Sequence, residues 1–197
     1  METGFKPLPS PDETISIVMK RFLKLRPAAC VLVLIYLWAA VSLASAQQIP
    51  KVEEDNLAGN TVVLPDAAAG KVSVLVLGFT RASKTPTRAW AQKMEADLGK
   101  TPGFALYSLP VLESVPHMIR GMVISGMKRD IPENQRDHFV PVLHNEAQWK
   151  TLVKYEAPDD AYLVVLDRGG KIAYQVHGEP NEQNYGLLRQ HIESLLK

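Results

Sequence analysis

Two long apolar runs constrain the fold of this chain more than any other feature. Residues 72–79 and residues 161–166 are apolar at nearly every position rather than at alternate ones. Because successive side chains of a strand point to opposite faces, such runs predict strands that are buried on both faces of a sheet. Strands alternate with helical patterns along the chain, and a hairpin and a terminal helix close it. We therefore predict an α/β fold, a central mixed β-sheet flanked by helices on both faces.

The other elements follow from the spacing of apolar residues and from turn residues. A small hydroxyl followed by proline predicts Thr85 as the N-cap and Pro86 as the first residue of the first helix. A turn is predicted at residues 65–70 and a polar loop or short helical turn at residues 130–137. Further strands are predicted at residues 61–64, 104–112, 139–143 and 171–177, and helices at residues 86–98, 114–128, 146–154 and 181–196.

The composition fits one folded domain and argues against a nucleic-acid partner. The chain has 197 residues, of which 46% are hydrophobic and 22% charged, which is enough to bury a core. Its 22 basic and 21 acidic residues give a formal charge of +1. The second half contains no basic block, so the electrostatic signature of nucleic-acid binding is missing.

The N-terminal region has the features of an export signal. Basic residues precede an uncharged run at residues 28–46, which ends in Ala44-Ser45-Ala46, the small-residue pattern of a cleavage site. Cleavage would leave a chain that begins at Gln47. The alternative is an uncleaved anchor, because the run approaches the ~20 residues that span a bilayer. We favour cleavage and expect the protein to be periplasmic or otherwise extracytoplasmic.

The expected organisation has three parts. Residues 1–46 form a cytoplasmic tail with the signal or anchor, residues 47–56 a linker or leading strand, and residues 57–197 the folded domain. Counting from Met19 gives a signal of ordinary length, so residues 1–18 are interpreted as a tail or as a misplaced start. The membrane is a partner only through the N-terminal segment, and only if that segment is retained.

Cysteine usage excludes disulfides from the exported domain. The one cysteine, Cys30, lies inside the apolar segment that precedes the expected cleavage site. After cleavage the chain would contain no thiol, although it enters an oxidising compartment. Its stability must then come from packing.

Three stretches resemble the extracytoplasmic thioredoxin-like and peroxiredoxin-like proteins. LAGNTVVLPDAAAGKVSVLVLGF is similar to their entry hairpin and first core strand, TPTRAWAQKME to the start of their active-site helix, and AYLVVLDRGGKIAYQVHGEP to their closing hairpin. These stretches cover most of residues 57–196. The resemblance implies a thioredoxin-like fold.

The cysteine pair of that family is absent. It would fall within residues 80–86, TRASKTP, and the proline that precedes the closing strand would fall at about Ala161, in DDAYLVVLD. Thiol exchange needs a thiolate, and Ser83 or Thr85 remains a neutral hydroxyl unless a strong base lies beside it. We therefore expect a redox-inactive form of the scaffold that is not an enzyme. The alternative is an oxidoreductase or peroxidase-related enzyme with non-cysteine chemistry at residues 80–88, which needs a polar cluster around Ser83 or Thr85.

A looser resemblance concerns the mitochondrial ATP-synthase assembly chaperones, which also keep a thioredoxin-like core without the cysteine pair. The layout of SVPHMIRGMVISGMKRDIPENQRDHF, followed by YLVVLDRGGKIAYQVHG, is similar to theirs, and so is the position of Trp90. This likeness implies an assembly or chaperone role toward a membrane complex. A protein partner of that kind is therefore expected.

The candidate contact surface is the rim of the former active site, residues 80–88 with residues 159–162. Basic residues at a helix start can bind an anion or an acidic partner together with the free N–H groups, or they can be solvated loop charges, which is the interpretation we favour. The candidate binding residues are Arg81, Ser83, Lys84, Thr85, Arg88, Asp160 and Tyr162. We assign no catalytic residue.

Methionines and histidines are the remaining candidates for a partner-binding surface and for a metal site. Met118, Met122 and Met127 lie at helical spacing with Ile119 and Val123, and we predict that at least half of this face is core rather than a partner-binding surface. Gly121 and Gly126 weaken that helix, which favours close packing against something. No two of the histidines lie at a ligand spacing on a helix, so no metal and no other cofactor is expected. They are His117, His138, His144, His177 and His191.

Overall fold

The computed structural model describes residues 48–197. The predictions for the tail, the signal or anchor, Cys30 and the cleavage site lie outside these residues. Within residues 48–197, no helix combines the length and the hydropathy that a bilayer crossing requires.

Two antiparallel strands precede a four-stranded mixed sheet. The central sheet has the order β4-β3-β5-β6, in which β3 and β4 are parallel and the other pairs are antiparallel. The two long apolar runs become its inner strands, as predicted. The strands are β1 (Val52–Asp55), β2 (Thr61–Leu64), β3 (Val72–Gly78), β4 (Phe104–Pro110), β5 (Ala161–Leu166) and β6 (Ile172–Gly178).

In the described part of the chain, four α-helices and two 3-10 turns connect and cover the strands. The 3-10 turns lie at Asp66–Ala68, inside the predicted turn, and at Glu133–His138, inside and just after the predicted polar loop. The helices are α1 (Lys84–Leu98), α2 (His117–Asp130), α3 (Glu146–Leu152) and α4 (Glu182–Leu196).

Each face of the sheet is buried in its own core. Trp90 and Met94 of α1 and Leu188 and Ile192 of α4 pack on one face. Trp149 and Leu152 of α3, together with side chains of β1 and β2, pack on the other. The predicted mixed sheet with helices on both faces is therefore confirmed.

Three local predictions need correction. Helix α1 begins at Lys84 with Ser83 as N-cap, so Thr85 is not the cap. Residues 139–143 form only isolated bridges, Phe139 with Ser108 and Val142 with Val111. The N–H groups of Val140 and Val142 donate to the carbonyl oxygens of Ser108 and Pro110, but Pro110 has no N–H to donate in return, so the ladder is not continuous. Of the two alternatives given for residues 47–56, the linker is wrong and the leading strand is confirmed in the described part, since β1 pairs with β2 along its whole length.

The apolar face of α2 was predicted to be mainly core, and this is wrong. Met118, Ile119 and Met122 are exposed, while Val123 and Met127 are half-buried. Among residues 48–197, neither core cluster includes an α2 side chain. The physical reason is that other elements already cover both faces of the sheet.

Candidate functional site

The loop between β3 and α1 is held by hydrogen bonds of two hydroxyl side chains. The Ser83 hydroxyl donates to the Thr80 carbonyl oxygen at 2.8 Å, and the Thr80 hydroxyl donates to the Pro158 carbonyl oxygen at 2.8 Å. The second bond joins this loop to the one that precedes β5. The predicted contact surface extended from residue 159 to residue 162, but Ala161 and Tyr162 are buried. From here on, the rim is therefore residues 80–88 together with residues 156–160.

Gly78 allows the Ser83 hydroxyl to lie directly against the end of β3. A Cβ atom at position 78 would lie 2.6 Å from the Ser83 Oγ atom and 3.0 Å from the Thr87 Cγ2 atom. A side chain at this position would displace Ser83 from the start of α1. Glycine is therefore required here by a close approach, although its φ angle is ordinary.

The basic residues of the rim are exposed. Lys84 forms a 2.7 Å ion pair with Asp130 at the end of α2, whereas Arg81 and Arg88 form no ion pair with any residue of 48–197. The hydrogen bond from Lys84, followed by its charge and by weaker effects of Arg88 and Arg129, holds the pKa of Asp130 below its ordinary value. An exposed pair of this kind adds little stability. The unpaired arginines leave the surface electropositive.

Tyr162 is a buried side chain that supports residues 156–160 of the rim. Its hydroxyl accepts hydrogen bonds from the N–H groups of Glu156 and Ala157 at 3.0 and 2.8 Å and donates to the Ala157 carbonyl oxygen at 3.0 Å. Its ring packs edge-on against Phe79, with a centroid distance of 5.6 Å. Tyr162 therefore holds the loop that precedes β5 from the inside, in addition to the bond from Thr80 to Pro158.

His177 is a rim neighbour that inspection of the sequence alone missed. Its Nδ1 atom lies 2.8 Å from Asp160 Oδ2, its Nε2 atom lies 3.3 Å from Glu156 Oε1, and its ring stacks on Tyr162. Both ring nitrogens thus contact carboxylates. The one available signal was the tight turn at residues 168–170, which predicts a hairpin whose second strand ends near the start of β5.

The hydroxyl at the start of α1 is engaged by the main chain. The hydrogen bonds of the Ser83 hydroxyl go to the main chain of Thr80, and in the part of the chain described no histidine or carboxylate accepts its proton. Within residues 48–197, no group of His, Cys, Asp and Glu side chains is arranged to hold a metal ion. The polar cluster that the enzyme alternative requires around Ser83 is not formed there.

The candidate residues separate into exposed and buried ones. Arg81, Lys84, Thr85 and Arg88 are exposed and Asp160 is half-buried, so a partner can reach them. The interpretation of Ser83 and Tyr162 as contact residues needs correction, because each is only 1% exposed. These two side chains position the rim from the inside.

A second polar network lies under the loop that leads into α2. The guanidinium of Arg120 donates to the carbonyl oxygens of Glu113 and Val115 at 2.9 and 3.0 Å. Glu146, at the start of α3, accepts from the Ser114 N–H at 3.0 Å, while its own N–H donates to Glu113. These hydrogen bonds join the start of α2 to the loop that precedes it, and that loop to the start of α3.

The Glu146 carboxylate is expected to make stability depend on pH. Burial by itself raises the pKa of Glu146, but hydrogen bonds from Lys150 and Ser114 and the charge of Lys150 outweigh it and leave the pKa below its ordinary value of 4.5. A lowered pKa in the folded state contributes stability above pH 4.5, which is lost as the pH falls through the folded-state pKa. Glu146→Gln should therefore lower the free energy of unfolding by about 2 kcal/mol near neutral pH.

Urea unfolding of both proteins at a series of pH values checks this. The difference between the wild type and Glu146→Gln should shrink as the pH falls below 4.5. Glu133→Gln, which changes an exposed carboxylate in the 3-10 turn, is the matched control and should show no such convergence. A difference that stays constant across the acid range would contradict the prediction.

Known proteins resemble this chain in structure rather than in sequence. No protein-family model matches it, and no curated protein sequence does so significantly. A Chlorobium tepidum protein described as thiol:disulfide interchange protein DsbE has a similar structure, with 18% identity, 77% of this chain and 97% of that chain covered, and a TM-score of 0.52.

Two further solved structures are similar. The exposed lipoprotein thioredoxin Etrx1 of Streptococcus pneumoniae has 11% identity, covers 73% of this chain and 99% of its own, and has a TM-score of 0.50. BsSco, a member of the Sco family of cytochrome c oxidase assembly proteins, has 12% identity and a TM-score of 0.52. The match covers 77% of this chain and 95% of BsSco. With its mixed sheet between two layers, the chain therefore has the thioredoxin-like fold.

Proposed function

We propose that this protein is a redox-inactive thioredoxin-like binding protein, a chaperone or assembly factor that acts on the extracytoplasmic side of a membrane. The observation that carries the proposal is the state of Ser83. A thioredoxin-like oxidoreductase needs a thiolate at the start of this helix, where the helix dipole stabilises negative charge. Here a buried hydroxyl stands at the N-cap and bonds to the Thr80 main chain.

The composition of the rim supports binding. Exposed arginines on one side, Arg81 and Arg88, and carboxylates with His177 on the other form a polar, two-signed surface on a rigid base. Opposed patches of charge orient a partner and increase the rate of productive encounter. The rim therefore suits a protein partner that carries complementary charges.

The extracytoplasmic location and the assembly role come from similarity. The pneumococcal neighbour is an exposed lipoprotein, and BsSco belongs to a family of cytochrome c oxidase assembly proteins. The signal-like N-terminus and the resemblance to ATP-synthase assembly chaperones favour the same kind of role for this chain. A membrane complex is the partner class that we propose.

The proposal predicts no thiol-disulfide activity. The protein should leave the reduction of insulin by dithiothreitol at the rate of the buffer alone and should not consume peroxide, because residues 48–197 contain no thiol. Thioredoxin is the positive control. A rate above the buffer baseline that survives further purification would contradict the proposal.

Partner capture tests the other part of the proposal, that the rim binds a membrane complex. Tagged wild-type protein should enrich one membrane complex from the cells that export it, and Arg81→Glu with Asp160→Lys should lose that complex. Lys71→Glu is the matched control, since Lys71 is exposed and lies at the opposite end of β3 from the rim. Loss of the complex with Lys71→Glu, or its retention by the double variant, would exclude the rim as the contact surface.

A further inference from the structure

Helix α2 presents an apolar surface to solvent. Met118, Met122 and Ile119 are 97%, 72% and 46% exposed. Elsewhere in residues 48–197 the one other large hydrophobic side chain of this kind is Leu187, on α4. Methionine side chains are flexible and polarizable, and such surfaces adapt to the apolar side chains of a partner.

Two glycines extend this surface. A Cβ atom at Gly121 or at Gly126 would meet no atom of the described chain within 4 Å. Each glycine costs the helix about 1 kcal/mol relative to alanine. No packing within residues 48–197 offsets that cost, because the space beside both glycines is open. The same space lets another backbone approach the helix closely.

The surface is electropositive at its C-terminal end. Met118, Met122 and Arg129 are spaced so that they lie on one face of the helix. Lys128 is also in the last turn of α2, and Arg88 of α1 is close enough to lower the pKa of Asp130. The carboxylate of Asp130 is already paired with Lys84. The apolar stripe therefore ends in cations that lack a matching anion in the described chain.

We propose that this α2 surface, Met118, Ile119 and Met122 with Arg88 and Arg129, docks an amphipathic segment of a partner protein that carries apolar side chains beside carboxylates. The inference rests on the proposed binding function and adds a second contact, separate from Arg81 and Asp160 of the rim. Apolar side chains cover the methionines, and carboxylates pair with the arginines.

A lipid surface and a second copy fit less well. Helices that lie in the membrane interface present tryptophan, phenylalanine or leucine, whereas this face presents methionine, isoleucine and glycine. A second copy docked through the same helix would bring the same cations, and the one carboxylate of α2, Asp130, is paired with Lys84. Charge complementarity therefore favours a different, acidic protein segment.

Designed peptides test the inference directly. A fluorescent helical peptide of roughly 18 residues, with leucine on one face and glutamate on the other, is titrated with the protein as purified from exporting cells. Its twin has lysine in place of glutamate, and a third peptide has the first composition in scrambled order. The acidic amphipathic peptide should bind at least about tenfold more tightly than either.

Variants locate the binding. Met118→Ser with Met122→Ser should weaken binding of the acidic peptide by about tenfold or more, because less apolar surface is buried in the complex. Arg88→Glu with Arg129→Glu should reverse the preference between the acidic peptide and its lysine twin. Leu187→Ser and Lys71→Glu are the matched controls and should leave binding unchanged. Because these side chains are exposed, the melting temperatures of all variants should agree with the wild type.

Other outcomes would overturn the inference. Equal binding of the three peptides would remove the proposed recognition. Binding to phosphatidylglycerol vesicles that exceeds peptide binding and is lost in the methionine variant would show a lipid surface instead. A dimer lost in the same variant would show a second copy. The proposed function would survive each of these results if the rim variants still lose the membrane complex.

Discussion

Replacing Trp90 by alanine is expected to lower the free energy of unfolding by about 3–5 kcal/mol. Trp90 is fully buried between α1 and the sheet, and its ring lies beside that of Tyr185 of α4 at a centroid distance of 6.1 Å. Its indole N–H donates to the Gly178 carbonyl oxygen at 2.8 Å. The substitution removes the largest side chain of this core and leaves a partly buried acceptor without its donor.

Urea unfolding followed by circular dichroism measures the loss, since this signal does not depend on the removed indole. Trp90→Phe keeps an aromatic ring but removes the N–H donor. Its free energy of unfolding should therefore fall by about 1–2 kcal/mol, clearly less than that of Trp90→Ala. Leu187→Ala changes an exposed side chain and should stay within about 0.5 kcal/mol of the wild type. A Trp90→Ala loss no larger than that of Leu187→Ala would contradict the assigned packing.

Replacing Tyr162 by alanine is expected to cost a similar amount, about 3–5 kcal/mol. The residue is buried between Phe79 and the loop that precedes β5, and its hydroxyl satisfies two N–H groups and one carbonyl group of that loop. Alanine removes both the packing and these hydrogen bonds. The loop that carries Glu156 and Asp160 should lose its fixed position as well.

Tyr162→Phe separates the two effects. It keeps the ring and removes only the hydroxyl, so stability should fall by about 1–3 kcal/mol. Amide hydrogen exchange at Glu156 and Ala157 should accelerate more than exchange at Leu163, which lies inside β5. Unchanged exchange at these two amides would show that another group holds the loop.

The rim is thus supported from both faces of the sheet. Trp90 attaches α1 to the end of β6 on one face, and Tyr162 attaches the loop before β5 on the other. The bond from Thr80 to Pro158 joins the two halves across the edge. A surface supported in this way keeps its shape before a partner arrives, which lowers the entropic cost of binding.

Most of the fold could be predicted because it depends on patterns that are local in the chain. The run at Ala161–Leu166 is apolar on both faces and forms an inner strand with the predicted bounds. The start of α1 could not be predicted as well. Both Ser83 and Thr85 can cap a helix, and the choice depends on Gly78, whose missing Cβ admits the Ser83 hydroxyl.

The apolar face of α2 shows a second limit of prediction from the sequence. Helical spacing of Met118, Met122 and Met127 indicates that one side of the helix is apolar, but it does not indicate what covers that side. In the structure other elements cover both faces of the central sheet, so Met118 and Met122 remain exposed. Burial depends on the competition among all apolar faces for the same sheet, and that competition is not local.

The residues alone established that no thiol lies in residues 48–197 and that apolar strands alternate with helices, because composition and periodicity are properties of the chain itself. Contacts between distant residues required the folded molecule. The place of His177 is the clearest case: a register shift between Val165 and Leu166 decides that it lies opposite Tyr162. Slipping a strand by one residue moves every side chain to the other face, and the chain carries no local signal for such a bulge.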